Sequence, residues 1–546
     1  MAIVSSYINN AVQQTLVSRI DYWEHKKSKI WSRVAQTSDG LVPRDWGQDW
    51  RLRKLFKVGI GGTVGVGQMQ PNTVFLGTDS ATNANFGILG VSAGEVGLNP
   101  NNSTTPQYYV YQQPLSKLKG LMTVEQELTR LEKVDATKAK VCEDTIEGTA
   151  EKLGIYKSNL FWAETDTLAL RGGTYTATLE GAVLAKIQVT GADVTIADGA
   201  ASAALTITGG SIARFEDALE VDVICSSGGS NDVMVRVNPA DSPLFISGVD
   251  PLANALKLVN VTGGAVTLVG STNSGITPNY VFLVPHKALD NQSWSATTAA
   301  ATITLTANTT FVPQTAYGIE RVLKGSGSLF GTSASHATAS AASNSIDLSR
   351  YPKYRSYVYD AGGNALDETF LLQLTARLEQ AGYNDEERPN EWWTNPGVSS
   401  GFIGAQDGLY VYQRNGQKVD INAGFSNAEG FEFQGFGGPC RLMTDRYIGE
   451  KKLYGTNNSD GKAFQQIQPP RMPGTKSGEG FMGAVEFLNP SRGYNDIWAP
   501  VRKVVSSVAY DSTLMGADFF MPYQLLPNSF RGMLVYNIGT SMAPVA

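Results

Sequence analysis

The chain has 546 residues, 44 basic against 50 acidic side chains and a net charge of −6, so it is long enough for several domains and has no overall basic footprint for nucleic acid. Cys142, Cys225 and Cys440 lie far apart and match no metal spacing, which points to a protein that works without disulfides in a reducing compartment. Only three histidines are present (His25, His286 and His336), and no apolar run is long enough to span a membrane or act as a secretory signal.

Over the first 57 residues, Ile8, Val12, Leu16 and Ile20 fall four apart, with Trp23 three further on, a stripe that predicts an amphipathic helix. Basic residues then accumulate from Lys26 to Lys57, among them Arg33, Arg44, Arg51, Arg53 and Lys54. This stretch reads either as a surface helix with a solvated charged tail or as an arm lying on an acidic neighbour, a second copy included, or on nearby nucleic acid. Residues 58–114 are rich in Gly, Asn and Thr and flanked by β-prone runs such as Tyr108-Tyr-Val-Tyr111, the pattern of a long β-hairpin loop.

From Thr123 the pattern turns helical. Thr123-Val-Glu-Gln126 reads as a capping box, and Leu128, Leu131, Cys142, Ile146, Ala150 and Leu153 keep roughly to one face up to Gly154. One helix of about 30 residues, roughly 45 Å long, is expected, with Gly148 as its point of bending. Asn159-Leu-Phe-Trp-Ala163 follows as a buried anchor. Residues 166–316 shift to Thr, Ala, Val and Gly, with alternation at Ala185–Thr190, Ala204–Thr208 and Ala301–Thr306. Thr190-Gly-Ala-Asp-Val-Thr-Ile is echoed by Thr262-Gly-Gly-Ala-Val-Thr-Leu, and the whole block is expected to be a β-sandwich-like insert.

Tyr317–Leu323 returns to helix character. After a turn at Ala361–Asn364, a helix is expected over Asp367–Ala381, with Asp367 as N-cap, Phe370, Leu371, Leu374 and Leu378 as its apolar face, and Gly382 as its left-handed stop. Strand-like runs follow at Leu409–Tyr412, Lys418–Ile421, Phe431–Phe436 and Leu442–Ile448, then at Val501–Tyr510 and Met533–Ile538.

The chain offers little catalytic chemistry. The Gly-rich run at 59–67 lacks the terminal Gly-Lys-Ser/Thr of a P-loop and places Val64 where a dinucleotide fingerprint needs its third Gly. Two G-x-S-x-G matches centre on Ser92 and Ser399; no histidine follows Ser399, and Gly97 and Pro100 interrupt any helix behind Ser92. Asp385-Glu386-Glu387 and Glu216-Asp217 read as solvated loop charges, and Trp392-Trp393 as a core or interface anchor rather than a sugar platform. No catalytic, cofactor-binding or metal-binding residue is assigned, and no enzyme is expected.

This order of parts resembles the major capsid proteins of tailed bacteriophages with the HK97 fold. The resemblance rests on the arm at 1–57, the loop at 58–114, Pro114-Leu-Ser-Lys-Leu118 leading to the capped helix, Leu160-Phe-Trp-Ala-Glu164, Tyr317–Leu323, and the module at 361–455 with Asp420–Phe425 and Phe433–Pro439. It implies an α+β fold: an N-terminal arm (1–57), an extended β-hairpin loop (58–114), a P-domain spine helix region (115–165) and an A-domain (317–430). An inserted mainly-β domain (166–316) interrupts it, and 431–546 supplies the rest of the A-domain and returning P-domain strands. It also implies self-assembly into hexamers and pentamers of an icosahedral, DNA-containing head. Packaged DNA would be touched non-specifically at the inner surface, with a portal, scaffolding or decoration protein as further partners and no membrane. The protein would be made in the host cytoplasm and reside in the virion. No lysine lies between Lys57 and Lys117, which closes the loop-lysine crosslinking route that some of these proteins use, and the arm is too short to contain a scaffolding region. The alternative reading is a non-catalytic β-rich adhesin or carbohydrate-binding protein, which would repeat β-domains along the whole chain. A serine hydrolase built on Ser92 is a third.

Overall fold

The computed structural model describes residues 28–37, 41–44, 47–57, 63–64, 71–72, 107–114, 117–125, 141–169, 176–189, 192–226, 234–239, 242–269, 280–286, 292–297, 302–307, 318–326, 328–329, 346–348, 355–383, 387–402, 425–426, 430–436, 438–457, 464–467, 486–488, 499–502, 510–522, 525–527 and 531–539. Among them the fold is mixed α/β, mostly strands with few helices. The chain divides into two compact units, Gly40–Pro114 and the remainder. The expected helix at 8–23, the Gly-rich run at 59–67 apart from Thr63–Val64, and the runs at 409–412 and 418–421 lie outside the described residues.

The Gly40–Pro114 unit contains a three-stranded antiparallel sheet of Leu41–Arg44, Gly47–Lys57 and Gln107–Pro114, with Gly47–Lys57 in the centre. The hairpin stem therefore begins within the stretch expected to be arm. Asp49 pairs with Pro114 and Lys57 with Gln107, so the basic run from Arg51 to Lys57 is strand rather than solvated tail.

In the other unit the longest described helix, α1, spans Val141–Phe161, 21 residues or about 31 Å. It runs unbroken through Gly148. The capping box at 123 is a misreading: Lys117–Glu125 is a strand, paired antiparallel over its whole length with the long strand Tyr510–Pro522. A continuous ladder to a distant partner outweighs a local cap, which contributes only about 1 kcal/mol.

The insert is not a sandwich. Strands β1 (Ala185–Gln188), β2 (Leu205–Gly210), β3 (Glu220–Ser226), β4 (Leu244–Asp250), β5 (Ala255–Asn260) and β6 (Tyr280–Pro285) pair antiparallel in the order β3-β4-β5-β2-β1-β6, and β6 pairs back onto β3. Val221–Ile224 lie against Pro285–Phe282 on one side of β3 while Glu220 and Val221 meet β4 on the other, which closes these six strands into a barrel, with a short seventh strand, Met234–Arg236, paired to β3 at Ile224–Ser226. Alternation along β2, with Leu205 and Ile207 buried and Thr206 and Thr208 exposed, fills the interior. The two echoed segments pair with each other: Val194, Thr195 and Ile196 oppose Leu268, Thr267 and Val266, and the Thr195 and Thr267 hydroxyls lie 3.1 Å apart. The alternating run near 301–306 forms a separate hairpin, Gln292–Thr297 with Thr302–Ala307.

The one-turn helix α2 (Ile319–Val322) leads to a mixed sheet of β7 (Tyr357–Asp360), β8 (Glu391–Thr394), β9 (Phe425–Ser426), β10 (Gly430–Gly435), β11 (Gly438–Thr444), β12 (Leu453–Thr456) and β13 (Met533–Tyr536), ordered β7-β13-β12-β8-β11-β10-β9. Its central strand β8 is buried on both faces. Trp392 joins Leu442, Leu453 and Val535 in a core with α3 (Glu368–Gln380), whereas Trp393 joins Met443, Tyr454 and Leu534 in a core with α1 and α2. Two adjacent tryptophans thus anchor opposite faces of one sheet, the core role expected of them. The α3 reading holds in detail: Asp367 Oδ1 accepts from Phe370 N at 2.6 Å, Phe370, Leu371, Leu374 and Leu378 are buried, and Gly382 has φ +72°. Between β10 and β11 a Cβ on Gly435 would lie 2.8 Å from Cys440 Sγ, so the tight reversal there requires glycine.

Replacing the α3 cap, Asp367→Ala, is expected to lower the unfolding free energy by about 1 kcal/mol in urea titrations. An unchanged midpoint would refute the cap.

Candidate functional site: a buried ionic junction and a seated N-terminal segment

The charged groups that matter most lie where the barrel, α1, α2 and the central sheet converge. Arg214, on the single turn Ile212–Arg214 between β2 and β3, is fully buried. Its guanidinium donates to Tyr447 O, to Leu184 O at 2.9 Å, to Trp162 O at 2.8 Å and to Glu164 Oε1 at 2.8 Å. Its own carbonyl accepts from Asn159 Nδ2 of α1 at 2.8 Å. Glu164 in turn pairs with Lys452 at 3.0 Å, and Lys452 with Glu320 of α2 at 2.7 Å. Glu320 also accepts from the Tyr454 hydroxyl at 2.7 Å and from the Thr165 backbone N–H.

Two cations and two carboxylates balance in this network. Burial alone would raise the Glu164 carboxyl, but the Lys452 ammonium and the Arg214 guanidinium outweigh it and hold it below the usual range. Burial opposes the charged Lys452 ammonium, yet Glu164 and Glu320 together keep it above its ordinary value. Tyr454 is raised well above its ordinary value by burial and by the two carboxylates, so it stays protonated and can donate to Glu320. Such a network holds its members in register more than it adds net stability, and removing one member leaves a buried charge unbalanced.

A second polar cluster stands on the barrel. Asp222 of β3 is fully buried and accepts from Asn238 Nδ2 at 2.8 Å, lies 2.8 Å from His286 Nδ1, and is 3.7 Å from the Arg236 guanidinium. The Tyr156 hydroxyl of α1 donates to His286 O at 3.2 Å, and burial, with Asp222 and Glu220 nearby, pushes that phenol up. His286 thus ties the last barrel strand to α1.

The third feature is the segment before the first hairpin. Ile30 and Trp31, on the turn Lys29–Arg33, are buried in the core with Ile155, Phe161, Tyr447 and Ile448. Trp31 Nε1 donates to Ser158 Oγ at 2.8 Å, and the Lys157 ammonium sits 4.1 Å from the centre of the Trp31 ring system. Ser28 Oγ donates to Asp445 Oδ2, whose other oxygen accepts from Tyr447 N at 3.0 Å. Over 28–31 the stretch read as a solvated tail or as an arm on a neighbour is seated on the body of its own chain.

Ser399 is buried in the helical stretch 396–402, its N–H donating to Asn395 O. Glu216 faces Arg446 at 3.7 Å, and Asp217 accepts weakly from Val249 N at 3.4 Å. Cys225 and Cys440 are buried free thiols. Ser92, Asp385, Glu386, His25 and His336 lie outside the described residues. Among the described residues no group of His, Cys, Asp and Glu is arranged to hold a metal, and no helix is long and apolar enough to cross a membrane. Sequence reasoning missed Arg214, Glu320 and Lys452. The signal was charge in an apolar context, Arg214 in Ile212-Ala-Arg-Phe215 and the Glu320-Arg321 pair in Gly318-Ile-Glu-Arg-Val-Leu323.

No family model matches the chain, and no curated protein matches it. Among solved structures it is similar to the cyanophage A-1(L) capsid asymmetric unit, with 10% identity, 93% of this chain and 90% of that chain covered, and a TM-score of 0.35. A likeness at that score does not establish a shared fold.

Arg214→Ala is expected to lower the unfolding free energy by about 3–5 kcal/mol, whereas Leu252→Ala, at a side chain 91% exposed, changes it by less than about 0.5 kcal/mol. Because the Glu164 carboxyl is held low, its contribution is present above the ordinary carboxylate range and lost as pH falls through its lowered value. In Arg214→Ala that acid loss should begin at higher pH. Equal stability of wild type and variant across the acid range would contradict the junction.

Proposed function

We propose that the chain is a major capsid protein of a tailed phage, assembling as hexamers and pentamers into an icosahedral head that encloses DNA. The observation that carries this reading is the partition of the chain. A strand-built unit, Gly40–Pro114, interrupts the remainder near its start, and the segment just before it is anchored by buried Ile30 and Trp31. Among its described residues the unit is a three-stranded sheet and a short hairpin, Thr63–Val64 with Pro71–Asn72, and neighbouring copies in a shell would supply a surface for such a sheet to pack on.

The charged residues support a non-catalytic role in a second way. Arg214, Glu164, Lys452 and Glu320 are committed to one another and to backbone carbonyls rather than to a cleft. DNA would be contacted through phosphate charge without sequence preference. A portal, scaffolding or decoration protein would be the further partners, and the barrel would reinforce or decorate the shell. The adhesin alternative calls for β-domains alone; α1 and α3 count against it.

The purified chain should sediment as rings or closed shells, and a variant with Gly47–Pro114 replaced by a short Gly-Ser linker should keep its folded body and lose assembly. Monomers under every condition of pH, salt and crowding would overturn the reading, as would shells formed equally well by the linker variant.

A further inference from the structure

We propose that residues 28–33 form a proton-linked strap, whose seating on the body is tightened by protonation of Asp445. The inference stands on the geometry of the seat and does not depend on the capsid reading. Asp445, on the turn after β11, is 2% exposed and is met by neutral donors: Ser28 Oγ and Ile30 N from the strap, and Tyr447 N from its own turn. Among the residues whose side chains are described, no lysine or arginine forms an ion pair with it.

The cations around it are turned to other work. Arg446 donates to the Tyr447 hydroxyl at 2.7 Å and faces Glu216 at 3.7 Å, so it acts on Asp445 only from a distance. Lys157 of α1 directs its ammonium at the Trp31 ring, Arg214 is engaged with backbone carbonyls and Glu164, and Lys29 of the strap is exposed. Tyr447 is pushed up to about 12, chiefly by burial, and stays neutral throughout.

A carboxylate closed off from water, bonded to neutral donors and reached by a cation only from a distance, is costly when ionised. Burial therefore raises the Asp445 carboxyl, and the hydrogen bonds from Ser28, Tyr447 and Ile30 offset only part of the rise. With the strap lifted, water reaches the carboxyl and its affinity for a proton returns toward the ordinary value of about 4. The seated form thus binds more protons than the lifted form between that ordinary value and the raised one. Seating is tightest in acid and weakens as pH rises through the raised value; above it the strap is at its loosest. On protonation the Asp445 hydroxyl donates to Ser28 Oγ in place of the reverse bond, so the seat keeps its hydrogen bonds. The strap precedes the Gly40–Pro114 unit in the chain, so this proton bears on one of that unit's two covalent tethers.

Hydrogen–deuterium exchange of the full chain, followed between pH 4.5 and 8 and corrected for intrinsic rates, tests the proposal. In the wild type, protection of the peptide containing 28–33 should rise as pH falls, by no more than about tenfold per unit, the limit for one linked proton. Asp445→Asn, which imitates the protonated carboxyl, should protect the strap at every pH with no slope. Ser28→Ala leaves the core intact and removes a donor that favours the ionised form. It should lower protection throughout and move the slope to higher pH. A flat wild-type profile, a slope that persists in Asp445→Asn, or no slope in Ser28→Ala would each overturn the proposal.

Discussion

Arg214 is the residue through which the larger unit is joined. Its guanidinium reaches carbonyls on three different parts of the chain, Tyr447, Leu184 and Trp162, and closes on Glu164. No apolar side chain could replace it without leaving those carbonyls unpaired in a dry interior. The same spot admits no side chain at Gly449, where a Cβ would collide with the Glu164 carboxylate. The barrel is thereby fixed against α1 and the central sheet by directional bonds as well as by packing.

That junction makes sense of the surrounding apolar groups. Phe161, Trp162, Trp393 and Tyr454 pack around it, with Phe161 edge-on to Trp162 at 4.6 Å and Trp162 tilted against Tyr454 at 5.3 Å between ring centres. These rings exclude water from the ion pairs, which strengthens the pairing and raises the cost of any missing member. The strap closes the same core from the side of α1, through Ile30 and Trp31. The strap, α1, α2 and one face of the sheet therefore share one core, and the ion pairs join the barrel with its own core to it. On the proposed reading, such a body suits a subunit that must keep its shape while its outer surfaces meet several neighbours.

Local signals were legible in the sequence where structure is decided locally. The cap at Asp367, the Leu371-Leu374-Leu378 stripe and the stop at Gly382 specify α3 within fifteen or so residues, and all three stand. The buried Leu160–Ala163 anchor and the core role of Trp392-Trp393 followed from apolar runs too bulky to leave in water. The echo of Thr190–Ile196 in Thr262–Leu268 was visible, but its meaning, a direct antiparallel pairing, was not. What failed was non-local. Thr123–Glu125 carries a good helix cap and is strand because its partner comes from Leu514–Gly516. Closure of the barrel depends on β6 finding β3, which alternation cannot reveal. The ion pairs join residues separated by 50 and 132 positions, and no spacing encodes them.

The central claim is that this chain is built to pack against copies of itself. The mass of the particle it forms, measured by charge-detection mass spectrometry on purified material, tests that most directly. The expected result is a narrow megadalton species made of many 58.6 kDa subunits, consistent with a closed shell. A single species at the mass of one subunit, unchanged as concentration is raised, would contradict it.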